Sequence, residues 1–441
     1  MGDAKAEKRG IFFGWWTVLA SGIIGLWGFG SSSYSFGTLF KPLVDEFGWS
    51  RAEITAASSL RQIEGGVGGI SSGWFTDKYG PRAMCLLGTF IAGLGYILMY
   101  YVNSLWSFYL VYGIIVALGF TISLSGNLDK AIADWFVKRR GLATGIFRVI
   151  VALQIVPPFV TWLIASYGWR QAFILMGLIT WGIGIPLGWF CIKPKRPEYY
   201  GLLPDGAKID GIKNKDKDSM IRLGQEYVAK EYGEVEYTIS EAVRTRSFWT
   251  AVIINAIGSL AWPVITTHLI PFLTFSGMDE VSAAATLSFT VTMGFPGRLI
   301  GGALVDKLSV RRLKYVILLA RCLTSLGFFL LAMTPDLSLI YISTLFFGLG
   351  NGLDIGAMGP IRTRFFGRKA YSTIMGAILL LTLPVSVSGP LYVAWVYDIG
   401  GGYRGSFTTM FIIYTVGILA CFFFDPPKQK PKIVSDVEKI V

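Results

Sequence analysis

Residues 73–82 read Gly73-Trp74-Phe75-Thr76-Asp77-Lys78-Tyr79-Gly80-Pro81-Arg82, and residues 302–307 read Gly302-Ala303-Leu304-Val305-Asp306-Lys307, with Arg311 following. Each stretch closes an apolar run with a glycine, an acid four residues later and a cation directly after the acid. Each therefore reads as a polar turn between two helices. An acid at a helix C-terminus faces its own macrodipole unfavourably, so Asp77 and Asp306 require a neighbouring cation or another helix's N-terminus. They are candidate latches, and Gly73, Lys78, Arg82, Lys307 and Arg311 complete the two turns. Ordinary interfacial charges are the plainer alternative.

Working outward from these turns with a ruler of ~20 apolar residues per ~30 Å of hydrocarbon gives twelve candidate spans. They run over 13–40, 50–77, 82–102, 106–134, 139–166, 170–192, 247–276, 280–306, 312–334, 338–366, 369–397 and 403–424. The organisation expected is a six-helix bundle over 1–192, a linker over 193–246 with one short surface helix, a second six-helix bundle over 247–424 and a tail over 425–441. The charged N-terminus precedes a run too long for a signal segment and lacks a small-residue cleavage site, so the first helix is expected to be retained.

The composition supports this reading: of 441 residues, 53% are apolar, 15% are charged and 53 are glycine, a surplus suited to close helix packing in a membrane. The four cysteines stand singly in apolar stretches, which indicates neither a disulfide framework nor a metal site. The net charge of +12 comes from short runs between spans rather than from one face, so it argues topology and not nucleic acid. Lys78 and Arg82, Lys138 to Arg140, Lys307 to Lys314, and Arg364 to Lys369 fall on one side, with only Lys41, Arg51, Arg170 and Arg404 on the other. Both termini and the linker are therefore expected in the cytoplasm, with the protein in the plasma or inner membrane and the lipid bilayer as its partner.

The halves also echo one another. Trp16-Thr17 answers Trp249-Thr250 at an offset of 233, Asp77-Lys78 answers Asp306-Lys307 at 229, Trp135-Phe136 answers Phe365-Phe366 at 230, and Gly168-Trp169-Arg170 answers Gly402-Tyr403-Arg404 at 234. Near-constant offsets imply duplication, which places a binding site near the midplane between two pseudo-symmetric bundles.

The repeated glycine, acid and cation turn resembles the cytoplasmic gate motif of the major facilitator superfamily. Three further stretches refine the likeness: Ser35-Phe36-Gly37 through Phe47-Gly48-Trp49-Ser50-Arg51-Ala52-Glu53, Asp134-Trp135-Phe136 through Gly141-Leu142-Ala143-Thr144-Gly145, and Arg196-Pro197-Glu198-Tyr199-Tyr200-Gly201 through Asp205-Gly206. Together they resemble the monocarboxylate transporter and oxalate:formate antiporter branch, in its prokaryotic form, over nearly all of the chain. The resemblance implies an all-α membrane fold of twelve transmembrane helices and, at Arg298, the arginine that binds a substrate carboxylate. Three departures stand out. Gly294 falls where many animal members carry an aspartate, Tyr34 where they carry a lysine, and no lysine stands in the eleventh span where the oxalate carrier has its second cation.

Arg298 lies inside the eighth span, eight residues before Asp306, where a cation normally faces a cavity or a partner. A planar fork suits a carboxylate, and a structural ion pair is the alternative. The substrate-binding candidates are Arg298, Tyr34, Asn127 and Asn351. For proton coupling the candidates are Glu64, Arg61, Asp354 and His268. Arg61 and Glu64, three apart on one helix face, are expected to neutralise each other, or to act as a proton-linked switch. Arg148 is expected to meet Asp129 as inter-helix glue. Asp354 could partner Arg298, His268 could be a helix-end hydrogen bonder, and Arg321 has no evident partner beyond snorkelling.

A single histidine leaves no nucleophilic catalytic set, no metal cluster is evident, and no GxxxxGK[ST] stretch occurs. The expectation is a secondary transporter, not an enzyme, with no cofactor, monomeric, moving a small organic acid together with protons by alternating access. An oxalate:formate-type exchanger, or a carrier of a neutral or drug-like solute, are the alternatives. Arg148 interrupts the small-residue stretch usual in the family and the antiporter signature is absent, so exchange has no support from sequence.

Overall fold

The computed structural model describes residues 12–428 apart from 125, 201, 208–218, 220–223, 225, 227–234, 334–336 and 401. Nearly half of the expected linker, residues 1–11 and the end of the expected tail lie outside the described residues. The described residues include twelve long helices: α1 (Phe13–Tyr34), α2 (Arg51–Tyr79), α3 (Pro81–Tyr101), α4 (Leu105–Trp135), α5 (Arg140–Tyr167), α6 (Trp169–Cys191), α7 (Arg246–Phe275), α8 (Glu280–Lys307), α9 (Lys314–Met333), α10 (Leu337–Phe366), α11 (Tyr371–Gly400) and α12 (Arg404–Phe422). Ten of these regions are long and apolar enough to cross a membrane. The two that fall short of that hydropathy, α2 and α8, carry Arg61, Glu64 and Arg298, and they are the helices laid against the opposite half, α2 on α11 and α8 on α5. Their polarity belongs to the seam between the halves.

Local chemistry explains the interruptions. The first span was expected to run to residue 40, but α1 widens into a π-helical turn at Gly30–Tyr34 and ends there. Ser32 and Ser35 donate to the carbonyls of Gly28 (2.6 Å) and Gly30 (2.7 Å), a competition with the helical ladder that loosens it. A short helix, Phe40–Phe47, follows. In α4, Gly126 sits at φ 72°, a left-handed conformation that breaks the helix before Asn127. In α5 the chain leaves the helix after Val151 and resumes at Val156, because Pro157 and Pro158 cannot supply amides to the preceding turn. Pro81 at the first turn of α3 is preorganised for a helix start, just after Gly80 at φ 88°.

One buried apolar cluster lies wholly within residues 18–192, and two others lie wholly within 237–424. Between the halves the contact is made through glycine rather than through large apolar side chains. A Cβ on Gly73 would collide with the Ser372 carbonyl of α11, and one on Gly141 with the Gly302 carbonyl of α8. Small residues let two backbones touch, which is how helices associate tightly where no water is displaced.

Candidate functional site

The seam is closed at the end of the bundle that carries the linker. Asp77, in the last turn of α2, accepts hydrogen bonds from the Thr373 amide (2.8 Å), the Thr373 hydroxyl (2.6 Å) and the Ser372 amide (3.3 Å) at the start of α11. Its counterpart Asp306 accepts from the Gly141 amide (2.7 Å) and the Leu142 amide (2.8 Å) at the start of α5. Each acid thus leaves its own helix's negative end and occupies the positive end of a helix in the other half. Gly73 and Gly302, one turn earlier, permit the approach. The cations of the two turns do not cross the seam: Lys78 stands over Trp74 and Tyr79, Arg82 donates to the Ile192 carbonyl (2.8 Å), and Lys307 and Arg311 are exposed.

Lys130 of α4, not Lys78, is the ammonium at Asp77 (3.2 Å); it also donates to the Arg368 carbonyl (2.8 Å). Arg368 donates to the Asp134 carbonyl (3.0 Å) and to Glu198 (3.1 Å), and Arg196 bridges Asp134 (3.5 Å) and Glu236 (2.5 Å). Burial works against the Glu236 carboxylate, but the guanidiniums of Arg196 and Arg368 outweigh it and hold its pKa below the ordinary value. Asp205 accepts the amides of Val137, Lys138 and Arg139, so the described part of the linker is fastened to the α4–α5 turn. Sequence reading overlooked this network, although Lys130 and Asp134 stand conspicuously inside a span.

Midway along the helices is a cavity of about 340 Å³, lined by Ser32 and Ser33 of α1, Arg61 and Gln62 of α2, Thr121 of α4 and Met375 of α11, among others. Arg61 and Glu64 are not a pair. Arg61 donates to Ser33 (2.6 Å), and Glu64 accepts from Thr121 (2.7 Å). Tertiary neighbours on different helices separate two side chains that are adjacent on their own helix. Each retains a buried atom without a hydrogen-bond partner, Nε of Arg61 and Oε1 of Glu64. Arg148, which also lines the cavity, meets Asp129 through both carboxylate oxygens (2.7 and 2.8 Å).

Arg298 is not among the residues lining that cavity. It is 6% exposed, sits 5.6 Å above the Phe295 ring, and leaves Nε and Nη1 with no hydrogen-bond partner. No carboxylate contacts it among the described residues. Tyr34 of α1 and Arg148 of α5 are the groups that act on it electrostatically. Ser33, which Arg61 reaches, and Tyr34 are consecutive in the π-helical turn of α1.

Other expectations change. Asp354 does not reach Arg298; it is bound by Arg321 (3.1 Å), whose Nη2 also donates to the Ile254 carbonyl (3.0 Å). Arg321 therefore does not snorkel: it is buried and ties α7, α9 and α10 together. The His268 Nε2 lies 2.9 Å from the Pro390 carbonyl, which joins α7 to α11 away from the cavity. Asn127 donates to the Ser123 carbonyl (3.1 Å) and keeps a buried Oδ1 without a partner, and Asn351 is buried in α10. Neither asparagine is among the residues lining the cavity. Sequence reading also missed Arg362 in α10, 4% exposed, whose charge four residues from a helix end is easily taken for topology.

Comparison with known proteins fits this geometry. Residues 22–386 match the model of the Major Facilitator Superfamily. Among curated relatives, monocarboxylate transporter 2 of Homo sapiens is 25% identical, with 89% of this chain and 81% of that protein covered. Monocarboxylate transporter 4 of Gallus gallus is also 25% identical, covering 95% and 85%. The fold is shared with the proton:xylose symporter XylE (TM-score 0.70, 14% identity, 95% and 97% covered) and with the human organic anion transporter MFSD10 (TM-score 0.60, 14% identity, 93% and 97% covered). A family match over most of the chain, on twelve helices latched across a duplicated seam, means that the chain belongs to the Major Facilitator Superfamily and is an integral membrane transporter rather than an enzyme.

Proposed function

We propose that this transporter carries a small organic monoanion, a monocarboxylate such as lactate or pyruvate, together with a proton, by alternating access. The observation that carries the reading is Arg298, a buried guanidinium with two nitrogens unsatisfied and no carboxylate against it. A fork of that kind is costly in a membrane interior unless an anion completes it, and a carboxylate offers two oxygens in matching geometry. The similarity to monocarboxylate transporters supports the same class. The latched linker end is the cytoplasmic one, and the halves rock apart there to release the acid.

Glu64 is the proton carrier in this reading. Asp129 is committed to Arg148, Asp354 to Arg321 and His268 to a carbonyl, whereas Glu64 has only the Thr121 hydroxyl and an unpartnered oxygen beside the cavity. A proton moving with the acid cancels the penalty of ~2.3 kcal/mol per charge per 100 mV that an anion meets against an inside-negative potential.

The test is uptake of labelled pyruvate, lactate, formate and oxalate into proteoliposomes, with and without an imposed pH gradient, by the natural chain and by Arg298→Gln. The reading requires uptake of at least one monocarboxylate that the gradient stimulates and the substitution cuts about 100-fold. Unchanged uptake by a folded Arg298→Gln protein, or uptake of neutral solutes alone, defeats it.

A further inference from the structure

We infer that Arg362 is a second anion station, which takes the carboxylate of the transported acid on the linker side of the central cavity after it leaves Arg298. The inference rests on the acid-carrier reading above and extends it to a residue outside the cavity wall. Arg362 is 4% exposed. Its Nη2 donates to the Asn255 side-chain oxygen of α7, its Nη1 to the Met375 sulfur of α11 (2.7 Å), and its Nε has no partner. Four other buried or half-buried guanidiniums meet a carboxylate: Arg148 with Asp129, Arg321 with Asp354, Arg368 with Glu198, Arg196 with Glu236. Arg362 has instead an amide oxygen and a thioether, and a thioether is a weak acceptor. The acids that act on it from a distance, Asp354 and Asp129, are already bound by Arg321 and Arg148.

Position gives this unsatisfied charge a use. Arg362 stands four residues from the end of α10 at Phe366, whereas Arg298 stands nine from the end of α8 at Lys307. At ~1.5 Å per residue, Arg362 is about 7 Å nearer the linker end. Met375, which caps its Nη1, is also a wall of the cavity. Beyond Met375 on the same helix come Ser372 and Thr373, which Asp77 holds. Release of the Asp77 latch and movement of the start of α11 would withdraw Met375, a flexible, unbranched side chain, from the guanidinium. A carboxylate moving from Arg298 toward the linker end then meets a fork of the same kind, so it need not stand unpaired in a low-dielectric passage. Two successive cations divide one long transfer into two short ones.

The experiment uses the full-length protein in proteoliposomes of uniform orientation, with labelled pyruvate and lactate as probes, and measures half-saturation separately from the linker side and from the opposite side. Arg362→Gln is expected to raise linker-side half-saturation about tenfold or more while the opposite side changes less than about twofold, the loss of one charge-assisted contact seen from one side. Arg298→Gln is expected to raise both. Equal effects from the two sides, or none on the linker side, overturn the inference. Should Arg362→Gln not fold, Arg362→Lys keeps the charge without the fork and must show the same one-sided rise, and Met375→Ala must lower linker-side half-saturation; absence of both also overturns it. A two-sided insensitivity to Arg298→Gln beside a one-sided Arg362→Gln effect would defeat the Arg298 anchor and leave this station standing. A natural chain that moves neither acid defeats both.

Discussion

The two halves treat their interior arginines differently. In the first half, Arg148 is clasped by Asp129 at 2.7 Å and Arg61 is given a serine hydroxyl at 2.6 Å. In the second half, Arg321 is clasped by Asp354, but Arg298 has two unsatisfied nitrogens and Arg362, like Arg61 in the first half, has only neutral acceptors and an unpartnered Nε. Among the described residues, the duplicated chain thus leaves one such cation without a carboxylate in the first half, Arg61, and two in the second, Arg298 and Arg362. The difference teaches that a charged residue inside a span says little until its partners are known: a guanidinium against a carboxylate is already neutralised, and one against neutral groups is not.

The sharpest way to break this contrast is to give the first half another uncompensated cation. Asp129→Asn leaves the half-buried Arg148 at the cavity wall without its acid and is expected to destabilise the protein by about 3 kcal/mol, the low end of the loss when one member of a buried pair is removed. Thermal unfolding in detergent measures it, and the double substitution Asp129→Asn with Arg148→Gln should recover most of the loss. Next in size is Arg298→Gln, for which uptake should fall about 100-fold, equivalent to ~2.7 kcal/mol, with little change in unfolding temperature. A large fall in stability instead would place Arg298 with the quieted cations.

A smaller effect separates the two latches. Asp77→Asn and Asp306→Asn each weaken charge-assisted hydrogen bonds to a helix start and should shift the balance toward the linker-open form by about 1–3 kcal/mol. Asp77→Asn should do more, because it also strips the buried Lys130 of its nearest carboxylate. Accessibility of a cysteine introduced at the cavity wall, probed from the linker side, reads the shift.

The smallest effect is expected at the linker clamp. Glu236 is held below the ordinary carboxylate pKa, so its stabilisation is complete at neutral pH and disappears as the pH falls below about 4. Glu236→Gln should therefore lower stability by about 1 kcal/mol at pH 7 and by much less in acid, since Arg196 keeps Asp134 as a second acceptor. An equal loss at both pH values would remove the charge from the explanation.

Much of the architecture was legible before any coordinates. Twelve apolar runs, a glycine and an acid at the end of α2 and again at the end of α8, and a repeat near 230 residues announce duplicated helical bundles with turns that must be held by something. The demand on Asp77 and Asp306 could be stated from the macrodipole alone. Their holders could not, because Ser372 and Thr373 lie nearly 300 residues away from Asp77 and carry no mark of the task. Proximity in sequence misled at Arg61 and Glu64, where one turn of helix suggested a pair and two different helices supplied the partners. At Arg321 the sequence suggested no partner beyond snorkelling, because its acid lies one helix further along at Asp354.

Sequence alone determined the all-helical membrane class, the duplication and the presence of too many interior cations, because apolar length, periodic echo and charge are properties of the chain itself. Tertiary structure alone decided which cations are neutralised and which remain open, because an ion pair in a membrane interior is made between helices, and the partner is chosen by packing rather than by spacing. Arg148 and Arg298 look alike on the page of residues; the carboxylate of Asp129, brought across from α4, neutralises the first, and no carboxylate among the described residues contacts the second.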